Sequence, residues 1–321
     1  MIILSETMSG PKERLLRYAH LISALGHITS AAWLFHLTQE RESMWQPVCR
    51  FTYDMWNKTA ENVTYQIPAY TEYHFDVALA AFFFAFWSGV VHLLTLLLWK
   101  FFVSDMKKRR STLRHFDYVV SASLMITVLA SLSGVRDTMA LLGISLSMAT
   151  VILMGMWAER VPLKKDKLRL FLGACAVYIF MVWTPIFATF YGSIANSETD
   201  TPSFVYAIIW IMFVVFSSFA IPAWYNISKG DEVDYAAIEL AFVILSLVSK
   251  VILHWMLNAG LINKNQKDRE SSVYQVAGGA IGGGIVLAVV FRIAWKRCGK
   301  QRAFVTNESF QQEKLLTESN M

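Results

Sequence analysis

Cysteine and charged residues are both scarce in this chain. Its 321 residues include three cysteines, and Asp, Glu, Lys and Arg together make up 17% of the sequence. Because Cys49, Cys175 and Cys298 are spread over the whole length, they do not form the framework of a small disulfide-rich fold. A low charge combined with 14% aromatic residues is the opposite of the composition of a disordered chain. A disulfide scaffold and an intrinsically disordered protein are therefore excluded.

Hydrophobic residues, in contrast, are abundant. They make up 55% of the chain, and the mean hydropathy of +0.42 lies outside the range of ordinary soluble domains. A membrane-spanning helix needs about 20 mainly apolar residues. Eight segments fit: 18–37, 75–99, 113–133, 138–158, 168–191, 204–225, 236–262 and 276–295. The sequence therefore predicts an all-α membrane protein with seven transmembrane helices and a glycine-rich eighth, a type of helix that membranes tolerate where another helix packs closely.

Lys and Arg are distributed unevenly between the two ends of these segments. Twenty of them lie on one side of the predicted bundle and seven on the other. The positive-inside rule places the richer side in the cytoplasm. We therefore predict an integral, multi-pass membrane protein with both termini in the cytoplasm. The same rule accounts for the net charge of +5 without a nucleic-acid partner.

The remaining segments are polar. The first predicted outside loop contains N-glycosylation sequons at Asn57 and Asn62. Alternating polar and apolar residues at 62–67 predict a strand of a short β-hairpin in the same loop. The tail has no apolar period and is typical of disorder. We therefore divide the chain into a seven-helix domain (1–262), an extracellular linker with the eighth helix (263–298) and a disordered cytoplasmic tail (299–321).

Lys250 is the most unusual residue of the chain. It is the fifteenth of 27 residues in the seventh segment, too far from either end for its side chain to reach water easily. A buried lysine tends to be neutral, and its nucleophilic amine is suited to forming a Schiff base with an aldehyde. From depth alone, a structural ion pair between helices explains Lys250 equally well.

The third segment supplies a partner for Lys250. Helical spacing puts Arg114, Asp117, Tyr118 and Ser121 on one face. A carboxylate at Asp117 would keep a protonated Schiff base charged, and Arg114 would hold that carboxylate ionised. The alternative is that Asp117, one turn inside the segment, is a solvated residue at a helix end.

Histidines and tryptophans in other segments could lie near Lys250 and Asp117. His27 and His92 are each surrounded by apolar residues and could accept or relay a proton, although a hydrogen bond between helices is the commoner role of a lone membrane histidine. Trp183 and Trp210 could wall a flat polyene, although aromatic stripes more often serve packing.

Together these residues resemble the heliorhodopsins, retinal-binding membrane proteins whose orientation is inverted relative to other microbial rhodopsins. The resemblance rests on Ser-Leu-Val-Ser-Lys at 246–250, on residues 114–123 with their Ser-Ala-Ser, and on His27 and His92. It covers the first seven segments and implies a seven-helix rhodopsin bundle. The eighth segment is a departure from that pattern.

The resemblance also implies roles for individual residues. All-trans retinal would be bound to Lys250 as a Schiff base, with Asp117 as counterion. Ser246 and Tyr118 would hydrogen-bond around this pair, and the two histidines would line a polar cavity beside it. The family typically has Glu at the counterion position, and the side chain of Asp117 is one methylene group shorter. This difference is expected to affect the absorption colour more than the role of Asp117 as counterion. A homodimer is implied as well.

The function expected from this resemblance is light sensing rather than enzymatic catalysis. Photoisomerisation and loss of the Schiff-base proton would drive a slow conformational signal to an unknown cytoplasmic partner. Light-gated ion or proton conduction is the alternative, motivated by the eighth segment, the histidines, and Glu159 and Glu239 near the cytoplasmic side. These two carboxylates could equally be interfacial charges beside basic loops. A third possibility is a permanent ion pair between Lys250 and Asp117 without photochemistry.

Overall fold

The computed structural model describes residues 11–39, 45–51, 69–196 and 203–262. Both sequons, the predicted strand at 62–67, the eighth segment and the tail lie outside these ranges. The described elements are α1 (Pro11–Gln39), β1 (Trp45–Phe51), β2 (Ala69–Asp76), α2 (Val77–Leu97), α3 (Trp99–Lys107), α4 (Thr112–Leu132), α5 (Thr138–Ala158), α6 (Lys164–Val177), α7 (Thr184–Ala195), α8 (Ser203–Ser217), α9 (Ala220–Lys229) and α10 (Tyr235–Ile262).

Six helical stretches in the described part of the chain are long and apolar enough to cross a membrane. They are Val77–Leu97, Thr112–Leu132, Thr138–Ala158, Lys164–Ala195, Tyr206–Glu232 and Tyr235–Leu257. These stretches coincide with the second to seventh predicted segments. Helix α1 has 29 residues and contains the first segment, but it is not among the six because polar residues such as His20 and His27 lower its hydropathy. The total of seven spans, with an eighth beyond them, stays a prediction.

The strands β1 and β2 lie between α1 and α2. They pair antiparallel from Trp45 opposite Asp76 to Phe51 opposite Ala69, with an irregularity between Val48 and Cys49. Asp76 then caps α2, because its side chain accepts hydrogen bonds from the N–H groups of Ala78 and Leu79. The strand pair therefore leads directly into the second helix.

The helix between Lys164 and Ala195 changes its winding in the middle. Residues Tyr178–Trp183 form a π-helical stretch between α6 and α7. Pro185 explains this change, since proline lacks the N–H of a regular helix and its ring crowds the preceding turn. Thr184 satisfies the carbonyl of Ile179, to which its Oγ1 donates at 2.8 Å. Trp183 lies at the end of this stretch and is 1% exposed.

The core of the bundle lies where α1, α2, α4 and α10 pack together. More than half of the apolar window is buried in α2, α4 and α10, against about a fifth in the other three spans. Among the largest fully buried side chains are Phe84, Met125, Leu129, Leu253 and Met256. The helices α5 to α9 are therefore peripheral, and they present much of their apolar surface outward.

Tight turns join the helices at one end of the bundle, which we call the basic end. It contains the connections α3–α4, α5–α6 and α9–α10, and it is the end predicted from Lys and Arg to be cytoplasmic. Arg109 has φ of 54°, a conformation unusual for a residue other than glycine. Its guanidinium donates to the carbonyls of Gly230 and Val233 and to Asn226 Oδ1, at 2.6 to 2.9 Å. These bonds tie the α3–α4 turn to the α9–α10 turn.

Asp105 organises the α3–α4 turn from within. Burial alone would raise the pKa of its carboxyl group, but hydrogen bonds from Thr112 and Arg110 outweigh burial and lower that pKa below its usual value. The carboxylate therefore stays ionised at neutral pH and holds the first turn of α4 against the end of α3.

Helices α1 and α2 approach each other closely at Gly89. A Cβ atom there would lie 2.7 Å from Cγ1 of Ile28 and 3.4 Å from the carbonyl oxygen of Ala24. We predict that Gly89→Ala lowers the free energy of unfolding by about 1–3 kcal/mol, because the two helices must move apart. Thermal and SDS-induced unfolding of the purified protein would measure this. Gly143→Ala is the matched control, since nothing lies within 4 Å of a Cβ at Gly143 in α5. Equal effects of the two substitutions would contradict the close contact.

Candidate functional site

Lys250 lies in the middle of α10 and is 3% exposed. Its Nζ donates to Ser246 Oγ, one turn earlier on the same helix, at 2.7 Å. The same nitrogen lies 3.7 Å from Oδ2 of Asp117 and 5.3 Å from the centre of the Tyr118 ring. The structure thus brings together four residues singled out from the sequence, which come from two helices far apart in the chain.

The meeting of Lys250 and Asp117 follows from the direction of helical side chains. Both α4 and α10 start at the basic end, and side chains on a helix point back towards its N-terminus. The long stem of Lys250 therefore reaches towards the basic end and arrives at Asp117, the sixth residue of α4. Tyr118 fixes the two helices at this level, because its hydroxyl donates to the carbonyl of Phe242 at 2.8 Å.

Asp117 is buried, and each of its carboxylate oxygens has a partner. Oδ2 faces Lys250, and Oδ1 accepts a hydrogen bond of 2.5 Å from the hydroxyl of Ser88 on α2. A buried charge is tolerated when it is paired and hydrogen-bonded. Asp117 is therefore an interior partner of Lys250 rather than a solvated residue at a helix end, and Ser88 is a contributor that the sequence analysis missed.

Arg114 corrects one expectation. It was expected to hold Asp117 ionised, but its guanidinium forms ion pairs with Glu159 at the end of α5 and with Glu239 on α10. Within the described ranges no ion pair joins Arg114 to Asp117. Arg114 lies one turn nearer the N-terminus of α4 than Asp117, and its long side chain points further towards that terminus, away from Asp117.

Glu239 is buried, and only 9% of the Glu159 side chain is exposed. Ser111 donates to both, through its hydroxyl to Glu239 at 2.8 Å and through its N–H to Glu159 at 3.1 Å. The hydroxyl of Tyr235 also donates to Glu159 at 3.0 Å. These contacts place both candidate ion-pathway residues in a closed ion-pair cluster at the basic end. They are not exposed interfacial charges.

An apolar cavity opens from Lys250 towards the outer helices. Tyr118, Ala122 and Met125 of α4 form one wall, and Phe216 and Phe219 form another. The far part lies between Met148, Ile152 and Gly155 of α5 and Phe171, Ala174 and Cys175 of α6. Space remains beside Gly155, where a Cβ atom would have His115 Nε2 as its nearest neighbour, 3.8 Å away. The cavity thus extends from Lys250 on α10 to side chains of α4, α5 and α6, and Lys250 is part of its lining.

The two tryptophans expected to wall a polyene lie outside this lining. Trp183 is fully buried and forms T-shaped contacts with Phe213 and Phe216. It therefore packs behind Phe216, which lines the cavity. Trp210 is 47% exposed and its indole N–H donates to the hydroxyl of Tyr191 at 3.0 Å. Aromatic spacing in the sequence did not distinguish Phe216, which lines the cavity, from Trp210 on the outer surface.

A polar seam runs along the other side of Lys250, between α1, α2 and α4. His27 stacks on His92 with ring centres 5.4 Å apart, and both are buried. His92 Nδ1 lies 2.8 Å from Nδ1 of His20, which the sequence analysis missed. The seven-residue spacing of His20 and His27 puts them on one face of α1 and was the available signal. The hydroxyl of Ser121 is buried without a partner among the described residues.

A small cavity belongs to this seam. It is lined by His20 and His92, by Thr95, and by Asp117 and Tyr118, and it extends to Arg114 and Glu239. Lys250 thus has an apolar cavity on one side and hydrogen-bonding side chains on the other. This arrangement can hold a long apolar molecule at the amine and stabilise a charge or proton beside it.

Substitution of Arg114 tests the ion-pair cluster. We predict that Arg114→Gln lowers the free energy of unfolding by about 3–5 kcal/mol, because it leaves the buried carboxylate of Glu239 and the largely buried one of Glu159 without this cation. Further substitution of Glu159→Gln and Glu239→Gln should restore much of the loss by removing both charges. SDS-induced unfolding of the wild type, Arg114→Gln and the triple variant would measure these differences in free energy. An Arg114→Gln protein as stable as the wild type would refute the cluster.

The fold is similar to that of solved rhodopsin structures. A cyanorhodopsin from the cyanobacterium Tolypothrix sp. NIES-4075 is 16% identical, with a TM-score of 0.56 over 81% of this chain and 98% of that one. A second, from Calothrix sp. NIES-2098, is 12% identical, with a TM-score of 0.53 over 83% and 100%. A light-driven proton pump from Leptosphaeria maculans is 11% identical, with a TM-score of 0.53 over 77% and 93%. At these identities the likeness concerns the fold alone.

Sequence comparison narrows the assignment further. No curated protein matches the chain. The profile of the heliorhodopsin family matches residues 15–262, which include α1 to α10 almost completely and therefore Lys250, Asp117 and the histidine seam. The protein belongs to the heliorhodopsin family.

Proposed function

We propose that this protein is a light-sensing photoreceptor in which retinal is bound covalently to Lys250 and Asp117 is the counterion. Membership of a rhodopsin family implies a retinal chromophore in a membrane protein. The observation that carries the proposal for these residues is the position of the Lys250 amine, which is buried, lines the apolar cavity and lies 3.7 Å from a carboxylate.

The residues around the cavity fit retinal. An elongated apolar aldehyde needs an apolar channel with a nucleophilic amine at one end and room for a ring at the other. Met125 and Phe216 bound the channel near Lys250, and the space beside Gly155 and Ala174 would receive the ring. Bound in this way, retinal would supply light absorption and isomerisation.

The side chains around the amine have separate roles in this proposal. Asp117 compensates the positive charge on the nitrogen of Lys250, and Ser88 holds the carboxylate in place through its hydrogen bond. Ser246 accepts a hydrogen bond from the same nitrogen. Tyr118 of α4 lies beside the Lys250 amine and donates to the carbonyl of Phe242 on α10. A change at the amine would therefore act on both helices.

Sensing is favoured over transport by the closed cluster at the basic end. Arg114 is held by two carboxylates directly beneath Asp117, and these ion pairs occupy the space between Asp117 and the turns of the basic end. The turns around it are tied together by Arg109, so a conformational change would be transmitted across this face. The proposal further includes that the protein is a homodimer and that the basic end lies in the cytoplasm. There it would act on a signalling partner.

Light-gated proton conduction is the second candidate. The observation that favours it is the small polar cavity whose lining includes both Asp117 and Glu239. Ionisable residues in series inside a membrane protein can form a relay. Movement of Arg114 away from Glu239 would be required to open such a path.

The visible absorption spectrum tests the retinal site. We predict that the protein expressed with all-trans retinal has a visible band. Lys250→Ala should abolish it, because Lys250 is the buried lysine of the cavity, whereas Lys167, the other lysine of the lining, lies in the first turn of α6 at the basic end. Asp117→Asn should shift the band to longer wavelength, since loss of the counterion destabilises the charge on the nitrogen. Lys229→Ala is the control, because this lysine of α9 is exposed. A band that survives in Lys250→Ala would overturn the proposal, and absence of any band would favour a permanent ion pair.

Voltage-clamp recording separates sensing from conduction. We predict no sustained photocurrent from cells that express the pigment, because Arg114 closes the basic end. Cells that express Lys250→Ala, which is expected to form no pigment, serve as the control. A light-dependent current that reverses with the proton gradient would instead favour the second candidate. If such a current were unchanged in Glu239→Gln or His92→Asn, the relay through those residues would be wrong.

A further inference from the structure

His254 lies outside the polar seam and joins three helices. It is on α10, one turn further from the basic end than Lys250, and it is 4% exposed. Its Nε2 lies 2.8 Å from the carbonyl oxygen of Ala81 on α2, and its Nδ1 is hydrogen-bonded to the hydroxyl of Ser30 on α1. Phe84 of α2 packs against the imidazole, with the ring centres 4.9 Å apart. A single side chain therefore ties α10 to α1 and α2.

Both nitrogens of this imidazole have a fixed role. A carbonyl oxygen can only accept a hydrogen bond, so Nε2 has the proton and donates to Ala81. In a neutral ring Nδ1 then has a lone pair, which accepts from the Ser30 hydroxyl. His27 differs, because neither of its ring nitrogens has a partner among the described residues. His254 thus has the hydrogen bonds of a structural tie, and both of its nitrogens are in use.

This tie closes a ring of contacts that passes through the Lys250 site. Lys250 faces Asp117 on α4, and Asp117 accepts a hydrogen bond from Ser88 on α2. Two turns along α2, Ala81 accepts from His254, which is one turn from Lys250 on α10. The path from Lys250 through α4 and α2 thus returns to α10.

The separation of the Lys250 amine and the Asp117 carboxylate depends on this ring. Lys250 and His254 share one face of α10, because they are four residues apart. A rotation of α10 that turned His254 away from α2 would therefore also turn Lys250 relative to Asp117. The interaction of two charges varies with their separation and is strong in a medium of low polarity. Small rotations of α10 thus change how well the charge at the amine is compensated.

We propose that His254 is a positioning residue that sets the separation of the Lys250 nitrogen and the Asp117 carboxylate. It acts through the helices, because it ties α10 to α2 and α2 in turn holds Asp117 through Ser88. In the pigment this separation determines the absorption wavelength. The effect on the pigment rests on the proposed function, whereas the effect on the Lys250 amine does not.

The surroundings of His254 support a directional role rather than simple packing. Phe84, Leu253 and Met256 around it are apolar and fully buried. A polar ring in such a place loses its hydration, so an apolar side chain of similar size would be tolerated there more cheaply. What the histidine adds is a pair of hydrogen bonds whose geometry fixes the rotation and height of α10 against two other helices.

Spectra of the retinal-loaded protein test the positioning. We expect His254→Leu to shift the visible band to longer wavelength, because the charge on the nitrogen of Lys250 is less well compensated. The C=N stretch in resonance Raman spectra should also fall less on exchange into D2O, since the hydrogen bond of that nitrogen is weaker. His254→Gln should lie closer to the wild type, because its amide nitrogen still provides a donor for Ala81.

Leu253→Ala is the matched control. Leu253 is the neighbouring residue of α10 and is fully buried, so its truncation also lowers stability, but it leaves every contact of the ring in place. The visible band and the Raman shift should therefore stay as in the wild type. A wild-type spectrum of His254→Leu, or an equal shift in Leu253→Ala, would overturn the proposal.

Nuclear magnetic resonance of the full chain without retinal separates this proposal from the proposed function. With 15N-lysine, the Lys250 amine signal should move in His254→Leu and stay in Leu253→Ala. With 15N-histidine, the His254 signal should be that of a ring protonated at Nε2 alone. An unmoved amine signal, or a His254 ring protonated at Nδ1, would overturn the positioning role. A wild type that forms no visible band would overturn the proposed function alone, because both signals are read without a pigment.

Discussion

The need to compensate charge inside an apolar bundle governs the centre of this protein. Lys250 and Arg114 are both buried. The carboxylates beside them are buried at Asp117 and Glu239 and largely buried at Glu159. Removing one member of such a set leaves an isolated charge in a medium of low polarity, which costs far more than the pair contributes. The helices α4, α5 and α10 are therefore held in one relative position by their charged side chains as well as by packing.

The environment of Lys250 is asymmetric. Its amine has the apolar cavity towards α5 and α6 and the histidine seam towards α1 and α2. The first side selects a long apolar molecule, and the second offers hydrogen-bonding groups where charge would move. The most buried helices face the seam, whereas the cavity is walled partly by peripheral helices. The polar side is thus built from the most buried helices, and the apolar side partly from helices at the periphery of the bundle.

Contacts at the basic end link this site to the surface. Arg114 lies one turn from Asp117 and contacts α5 and α10 through its two glutamates, while Arg109 ties the neighbouring turns together. A change in the charge balance at Asp117 alters the field on Arg114 without any large movement of the chain. The ion-pair cluster is thus the nearest structural element through which the interior can act on this face.

The sequence by itself determined the membrane class, six of the spans, and Lys250 and Asp117 as residues of interest, because hydropathy and the rarity of buried charge are local properties. The resemblance in 114–123 and 246–250 indicated the family that the profile then matched. Only the tertiary structure decided that Arg114 pairs with two glutamates, that Phe216 rather than Trp210 lines the cavity, and that His20 meets His92. These contacts depend on how far side chains reach along parallel helices and which faces meet, and periodicity within one helix contains neither.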